Sequence, residues 1–224
     1  IDQDGHLDIV VANTNGEANL LMLNNGSGAF QETRELPGGT HNTSCVALGD
    51  LDGDGRLDIV FSNQVNDSNR FDFVQFLFND NTAGAGTFNV ESTRRLADLQ
   101  LVGDTTDPSR AAPAGGMAQA IALGDLNGDD VLDVVVATSH EDARSDVWIQ
   151  INEKTGTSFE HRELMAPDVR LKLDQNTYPP KCASDRRVCE FHMLYSLSLG
   201  DFNGDGYLDV VAGGIEVAGG IQGG

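Results

Sequence analysis

One acidic motif recurs four times along the 224-residue chain. Its copies read IDQDGHLDIV from Ile1, GDLDGDGRLDIV from Gly49, GDLNGDDVLDVV from Gly124 and GDFNGDGYLDVV from Gly200. Within a nine-residue window, Asp or Asn occupies positions 1, 3, 5 and 9, and position 1 is missing only from the first copy. The motif is therefore a repeat unit, and the fold must build the same element several times.

The repeated side chains are hard oxygen donors, the ligand type that Ca²⁺ prefers, and Ca²⁺ takes about 6 to 8 oxygens at roughly 2.3 to 2.6 Å. Closely spaced carboxylates repel one another unless a cation lies between them. We therefore expect up to four Ca²⁺ sites, to which position 7 contributes its backbone carbonyl because its side chain varies. An acidic turn without a metal ion is the alternative. The candidate ligands are Asp2, Asp4, His6, Asp8, Asp50, Asp52, Asp54, Arg56, Asp58, Asp125, Asn127, Asp129, Val131, Asp133, Asp201, Asn203, Asp205, Tyr207 and Asp209.

The spacing does not fit an EF-hand, which needs a bidentate Glu at position 12 and a helix on each side. Position 12 of the second copy is Phe61, and the flanks are short β-branched runs. Each loop should therefore lie between two strands, with Asp58 and its equivalents closing it at position 9. Position 6 is Gly in three copies, which predicts a positive φ there. The third copy has Asp130 instead, and we expect it to be the weakest site.

The stretches between the loops indicate an all-β fold, because they lack a helical period and carry turn signals about every 8 to 12 residues. Each unit can be laid over the next as four antiparallel strands, A to D, with the acidic loop between A and B. Small residues alternate along strand A, which suits a strand close to an axis on which several sheets converge. The predicted fold class is all-β, with β-propeller blades of four antiparallel strands that form an open arc of a larger propeller.

This interpretation treats residues 1–224 as a single propeller region. Two partial blades lie at the ends, one at about 1–37 with strands B, C and D and one at about 193–224 with strands A and B. Two full blades lie at about 43–97 and 117–165. Insertions lie at about 98–116 and 166–192. In the first blade, strand B is predicted at Leu7–Ala12. The predicted C strands are Asn19–Asn25, Phe73–Asp80 and Asp146–Glu153, and the predicted D strands are Ala29–Leu36, Gly86–Leu96 and Thr157–Leu164.

The loop DxDxDGxxLD, preceded by a strand ending in LGD and followed downstream by NxGxGxF, resembles the FG-GAP or VCBS repeat. That family builds the calcium-binding propeller of integrin α-subunit heads and of many secreted proteins. The resemblance implies a propeller with a Ca²⁺ site in each loop between strands A and B. Propellers of the family usually have about seven blades, so we expect further blades or chains to complete the arc.

The charge of the chain restricts its partners. A formal net charge of -21 argues against nucleic acid and anionic membranes, and no apolar run approaches the ~18 residues of a membrane span. Strand parity puts the calcium loops on one face of the arc and the long connections on the other. We expect a protein or glycan ligand to bind this opposite face, which carries the segments 63–70, 97–117, 138–145 and 166–192.

Cysteines and glycosylation motifs point to an extracellular, secreted or cell-surface location. Cys182 and Cys189 bracket a short basic segment and are predicted to form a local disulfide, whereas Cys45 is expected to be a core thiol. N-x-S/T sequons occur at Asn25, Asn42 and Asn66. The chain opens inside the first loop, and we expect it to be part of a longer protein.

No sequence motif indicates catalysis. The chain lacks HExxH, GxSxG, CxxC and phosphate-binding glycine-loop patterns, and its five histidines do not pair at ligand spacing. The predicted function is that of a calcium-stabilised, non-catalytic propeller module for adhesion, recognition or structural assembly. The alternatives are the propeller of a secreted polysaccharide-active enzyme such as a lyase, a lectin, and one module of a surface fibre.

Overall fold

The computed structural model describes residues 1–30, 32–64, 74–79, 86–88, 93–95, 116–140, 145–150, 152, 169–172 and 188–220. Within these ranges the chain forms thirteen strands and no helix, which confirms the all-β expectation. The strands are β1 Ile9–Val11, β2 Ala18–Leu23, β3 Glu32–Thr40, β4 Asn42–Gly49, β5 Asp58–Gln64, β6 Val74–Leu77, β7 Thr93–Arg95, β8 Gly116–Gly124, β9 Asp133–His140, β10 Ser145–Gln150, β11 Val169–Lys172, β12 Val188–Gly200 and β13 Asp209–Gly220. A helix long and apolar enough to cross a membrane is absent from the described part of the chain.

The first sheet contains β1, β2 and β3 in that order, all antiparallel. These are the strands B, C and D predicted for the first partial blade. Along β2 the side chains alternate between buried and half-buried, and Leu21 and Leu23 both lie on the buried side. Strand alternation of this kind places one face of the sheet against the core, as period-2 patterning requires.

The two full blades are joined into one eight-stranded sheet. The strands β4, β5, β6 and β7 pair in succession, and so do β8, β9, β10 and β11. Between β5 and β8 the register contains one residue pair, Gln64 with Met117. Each half is therefore a four-stranded antiparallel unit of the predicted kind, and the whole is a propeller-like arc of sheets.

The last sheet pairs β12 with β13, the predicted strands A and B of the final partial blade. All three A strands, β4, β8 and β12, shift register at the same place, between Thr43 and Cys45, between Ala118 and Ala120, and between Leu194 and Ser196. One extra residue per strand is the mark of a β-bulge, which bends the strand. The repeat thus extends to a backbone irregularity that the sequence analysis did not predict.

Several strand boundaries differ from the prediction. The predicted D strand at Thr157–Leu164 lies outside the described residues, and the fourth strand of that blade is β11, within the segment predicted to be an insertion. Strand β12 begins at Val188, before the predicted start of its blade at about residue 193, and β13 continues through the glycine-rich stretch to Gly220. Cys182 and most of the long opposite-face connections also lie outside the described residues.

The core fills the spaces between successive sheets. One cluster packs Leu21 and Leu36 of the first sheet against Ile59, Phe61 and Leu77 of the next blade. A second packs that blade, through Val60, Val74 and Phe76, against Ala118, Ile121, Val134 and Val136 of the third. A third cluster joins Val135 and Val147 to Leu194 of β12. Apolar burial of this kind is the main force that holds one blade on the next.

Two glycines that directly precede an acidic loop have a packing role between blades. A methyl group on Gly49 would lie 2.6 Å from Cδ1 of Leu132, and one on Gly124 would lie 2.7 Å from Cδ1 of Leu208. Both leucines belong to the following blade, at position 8 of its acidic loop. The LGD sequence that ends strand A therefore contains Gly because the next blade packs directly on its backbone.

Candidate metal centre

The four acidic loops, numbered 1 to 4 in chain order, lie where the repeat predicts them. Loops 2, 3 and 4 connect β4 to β5, β8 to β9 and β12 to β13, and loop 1 directly precedes β1. Loops 2, 3 and 4 are therefore tight hairpin loops between strands A and B, and loop 1 is the part of such a loop that leads into strand B. The core strands on both sides fix the ends of each loop.

Each loop is folded by its own acidic side chains. In loop 4, Asp201 at position 1 accepts the backbone N–H groups of Gly204 at 2.7 Å, Asp205 at 3.1 Å and Gly206 at 2.9 Å. At positions 3 and 5, Asn203 Oδ1 accepts the N–H of Asp205 at 2.8 Å, and Asp205 Oδ1 accepts the N–H of Tyr207 at 2.9 Å. Short polar side chains commonly turn a backbone in this way.

Loops 1 to 3 use equivalent bonds. Asp50 accepts the N–H groups of Asp54 and Gly55 at 3.1 and 2.9 Å, and Asp125 accepts that of Asp130 at 2.9 Å. Loop 1 lacks position 1 but keeps the bond from His6 N to Asp4 Oδ1 at 2.8 Å. In loop 4 the N–H of Gly206, helped by other backbone donors and opposed by burial, holds the pKa of Asp201 below its usual value. Asp201 is therefore an ionised acceptor at neutral pH.

Two positions of the loop need a left-handed backbone. At position 6, φ is +87° at Gly5, +86° at Gly55, +64° at Asp130 and +90° at Gly206, which confirms the predicted positive φ. Asp130 therefore adopts a conformation that glycine adopts at lower cost. Position 4 is also left-handed in every copy, including Gln3 at +66°, and this the sequence analysis missed.

The aspartate at position 9 closes the loop, as predicted, but it does so through hydrogen bonds. Asp58 is fully buried; its Oδ2 accepts the N–H of Leu51 at 2.8 Å, and its Oδ1 accepts the N–H of Asn79 at 2.8 Å. Burial, opposed by these two N–H groups and reinforced by the negative charge of Asp52, raises the pKa of Asp58 to about 7. An opposing positive charge is what would favour the ionised form.

The equivalent aspartates make the same closure. The N–H of Leu126 donates to Asp133 Oδ2 at 2.8 Å and that of Phe202 to Asp209 Oδ2 at 3.0 Å, and the N of Ile1 lies 2.7 Å from Asp8 Oδ2. The aspartate therefore holds position 2 against position 9 in all four copies. This bond closes the hairpin at the point where strand B begins.

Loop 2 brings three predicted ligands together. One carboxylate oxygen from each of Asp50, Asp52 and Asp58 lies within 4.8 Å of the other two, and no other three His, Cys, Asp or Glu side chains of the described residues come together in this way. Two oxygens that share one Ca²⁺ can be about 5 Å apart, since each lies roughly 2.3 to 2.6 Å from the ion. Burial and the charge of Asp54 raise the pKa of Asp52. The donor set and its mutual repulsion therefore fit a hard divalent cation.

The fourth acidic side chain of loop 2 has a different partner. The Arg56 guanidinium donates to Asp54 Oδ2, and Arg56 Nε donates to the carbonyl of Asn79. In loops 3 and 4 the side-chain amides of Asn127 and Asn203 donate to the carboxylates at position 5, at 3.1 and 3.0 Å. Position 5 is thus occupied in three loops by a neighbouring donor rather than held with the other predicted ligands.

One set of residues at this face was not predicted as functional. Asn24, Asn79 and Asn152 follow the three C strands, and their N–H groups donate to Oδ1 of the aspartate at position 9 of the same blade, at 2.9, 2.8 and 2.7 Å. These bonds confirm that the acidic loops and the ends of the C strands share one face. The sequence contains a signal for these residues, an Asn at the end of each repeated C strand. The repeats differ in length, which makes this signal hard to see.

Repeated antiparallel sheets with an acidic hairpin between their first two strands define a β-propeller-type repeat module. The chain carries FG-GAP repeats: a model of the FG-GAP-like repeat matches residues 1–61, and a model of the FG-GAP repeat matches residues 193–214. The matched segments contain loops 1, 2 and 4. No curated protein matches the chain.

Proposed function

We propose that this chain is a calcium-stabilised propeller module in which each acidic loop binds one Ca²⁺. The observation that carries the proposal is the convergence of Asp50, Asp52 and Asp58 within 4.8 Å in loop 2. All three supply hard carboxylate oxygens, and the pKa of Asp52 and of Asp58 is raised by burial and by neighbouring negative charge. These are the conditions under which a divalent cation adds most to stability.

The ion would supply positive charge at the centre of the loop. The protein residues do the rest: Asp58 holds the start of strand B against position 2 and against the end of strand C through its two accepted N–H bonds. Neutralising this buried carboxylate would secure three chain segments at once. Calcium would therefore act on the stability of the blade, and no chemical step is assigned to it.

We propose an extracellular role in adhesion, recognition or structural assembly, without catalysis. Extracellular calcium modules function with dissociation constants of about 10⁻⁴ to 10⁻³ M, so even weak loops would stay filled outside the cell. The sequons at Asn25, Asn42 and Asn66 support the same compartment. The ligand would be a protein or a glycan bound on the face opposite the acidic loops. Depolymerisation of an acidic polysaccharide, or binding on a glycan array, would instead favour the lyase or the lectin alternative.

The test of the calcium proposal is thermal unfolding and calorimetric titration of the 224-residue chain. Calcium should raise the melting temperature and EDTA should lower it, and Asp50→Ala together with Asp52→Ala should remove one binding site. Glu17→Gln is the matched control, because Glu17 is an exposed acidic side chain in a turn outside the loops. Identical melting curves in calcium and in EDTA would exclude the proposal.

A further inference from the structure

The asparagine at the end of each C strand also reaches the preceding blade. Asn79 Nδ2 donates to the carbonyl of Ile1 at 3.2 Å and to that of Leu57 at 3.3 Å. Leu57 is position 8 of the loop in its own blade, whereas Ile1 is position 2 of the loop before it. One side-chain amide therefore joins two successive acidic loops.

The next blade repeats the arrangement. Asn152 Nδ2 donates to the carbonyl of Leu51 at 2.8 Å and to that of Leu132 at 3.4 Å. Leu51 is position 2 of loop 2, and Leu132 is position 8 of loop 3. The same residue type makes the same pair of bonds in two blades, so the contact is a property of the repeat.

These bonds connect three carboxylates at position 9 into one series. Asp133 accepts the N–H of Asn152, whose side chain holds the Leu51 carbonyl, and the N–H of Leu51 donates to Asp58. From Asp58 the series continues through the N–H and the side chain of Asn79 to the carbonyl of Ile1, whose N-terminal ammonium donates to Asp8. Each link passes through the donor and acceptor groups of one residue.

We propose that Asn79 and Asn152 are positioning residues that couple loops 1, 2 and 3, so that calcium binding at one loop strengthens binding at its neighbour. This inference rests on the proposed calcium function. A cation that fixes the carboxylate of Asp58 also holds the N–H of Leu51, and the carbonyl of the same residue accepts the side-chain amide of Asn152. Asn152, held in this way, places its backbone N–H against the carboxylate of Asp133 in loop 3. Thermodynamic linkage makes the effect between the two loops reciprocal.

Burial makes the link rigid enough to carry such an effect. Asn79 is 1 % exposed, so water does not compete for its amide bonds. Its Oδ1 accepts no hydrogen bond from the described residues, which leaves the two carbonyl contacts of Nδ2 to fix the orientation of its side chain. Deleting this side chain would leave the carbonyl oxygens of Ile1 and Leu57, one in each blade, without the donor they share.

The experiment is a calcium titration followed by amide NMR on the 224-residue chain. The amides of Leu51, Leu126 and Phe202 each donate to the aspartate at position 9 of their own loop and therefore report loops 2, 3 and 4 separately. Asp125→Ala disables loop 3. In the otherwise native chain this change should raise the calcium midpoint at Leu51 about fivefold or more, the lower end of usual couplings.

Asn152→Ala should abolish this dependence, so that the midpoint at Leu51 is the same with or without Asp125→Ala. Asn24→Ala is the matched control, because its side chain accepts from Gly26 and Gly28 within its own turn and makes no contact between blades in the described residues. It should leave the coupling intact. If Asn152→Ala does not fold, Asn79→Ala with Asp4→Ala makes the same test between loops 1 and 2.

The outcomes separate the two proposals. If the three amides do not respond to calcium, the proposed function fails, and the coupling fails with it. If each loop binds calcium but the Leu51 midpoint ignores Asp125→Ala, the coupling alone is overturned. Coupling that persists unchanged in Asn152→Ala likewise overturns the role assigned to this residue.

Discussion

Replacing Asp58 with Asn should destabilise the protein in EDTA and destabilise it further in calcium. Asp58 is fully buried and accepts one backbone N–H on each carboxylate oxygen, from Leu51 and from Asn79, both at 2.8 Å. An amide offers one acceptor and one NH₂ group, so one of these buried N–H groups loses its partner. An unsatisfied buried donor costs about 1 to 3 kcal/mol, and this is the loss expected in EDTA.

In calcium we expect a second contribution, because the calcium site proposed for loop 2 would also lose a ligand. A ligand at 100 times its dissociation constant stabilises a fold by about 2.7 kcal/mol, so a variant that no longer binds at this loop loses that amount as well. The expected total in calcium is therefore about 4 to 6 kcal/mol. The removal of a buried charge relieves part of the cost in EDTA, which makes the contrast between the two conditions larger.

Urea unfolding of the native chain and of the variant, in calcium and in EDTA, measures both quantities. Ser62→Ala is the control, because Ser62 is a fully buried polar residue of the same strand, hydrogen-bonded to Ser44 and outside the loop. Its cost should be the same in both conditions. If Asp58→Asn is equally costly with and without calcium, this carboxylate is a structural acceptor and not a metal ligand.

Three further predictions follow from the loop geometry. Gly206→Asp should lower the calcium affinity of loop 4, measured at the Phe202 amide, because Gly206 has a φ of +90° and a residue with a side chain is strained in that conformation. A calcium affinity equal to that of the native chain would contradict this. Gly124→Val should lower the unfolding midpoint by several degrees in both calcium and EDTA, since the added carbon would lie 2.7 Å from Leu208 Cδ1, and a neutral result would show that the blades can separate freely there. The pKa of Asp58 is raised to about 7 in the ion-free loop, so the stability that this group contributes is present below pH 4 and is lost as pH rises through 7. In EDTA the native chain should therefore lose more stability than Asp58→Asn between pH 5 and pH 8. Parallel pH profiles of the urea midpoints of the two proteins would refute the assignment.

The sequence predicts the architecture well wherever the loops mark the strands. Because Asp58, Asp133 and Asp209 each begin a strand, the loop motif alone locates the B strands, and the apolar runs before it locate the A strands. The split into three, four, four and two strands follows from counting these runs, and the sheet pairing confirms it. Alternation of large and small apolar residues is a local signal, and it survives the insertions between repeats.

The prediction fails where no local signal marks the strand. The strand β11, Val169–Lys172, is short and lies within the segment predicted to be an insertion, whereas the predicted D strand at Thr157–Leu164 lies outside the described residues. The end of β13 is rich in glycine, which is unfavourable in strands, yet it pairs with β12 as far as Gly220. Pairing with a neighbouring strand outweighs local propensity in such segments.

The site divides in the same way. The spacing of the motif predicts the carboxylates that fold the loops, because Asp201 and Asp50 accept N–H groups no more than five residues away in the sequence. It could not identify Asn79 and Asn152, whose side chains act across blades on residues 78 and 101 positions away. A single sequence contains no distance information at that range, although the repeated Asn after each C strand is visible once the copies are aligned.

The hydrogen bonds of the loops also show why the motif alone does not prove a metal site. Asp58 satisfies two backbone donors at 2.8 Å, so hairpin closure by itself would favour Asp at this position. The same holds for Asp50, which turns the backbone at Asp54 and Gly55. Hairpin closure alone, however, needs neither a third carboxylate within 4.8 Å nor a carboxylate whose pKa is raised to about 7. A bound cation would neutralise these clustered carboxylates, and the difference in stability between calcium and EDTA measures that effect.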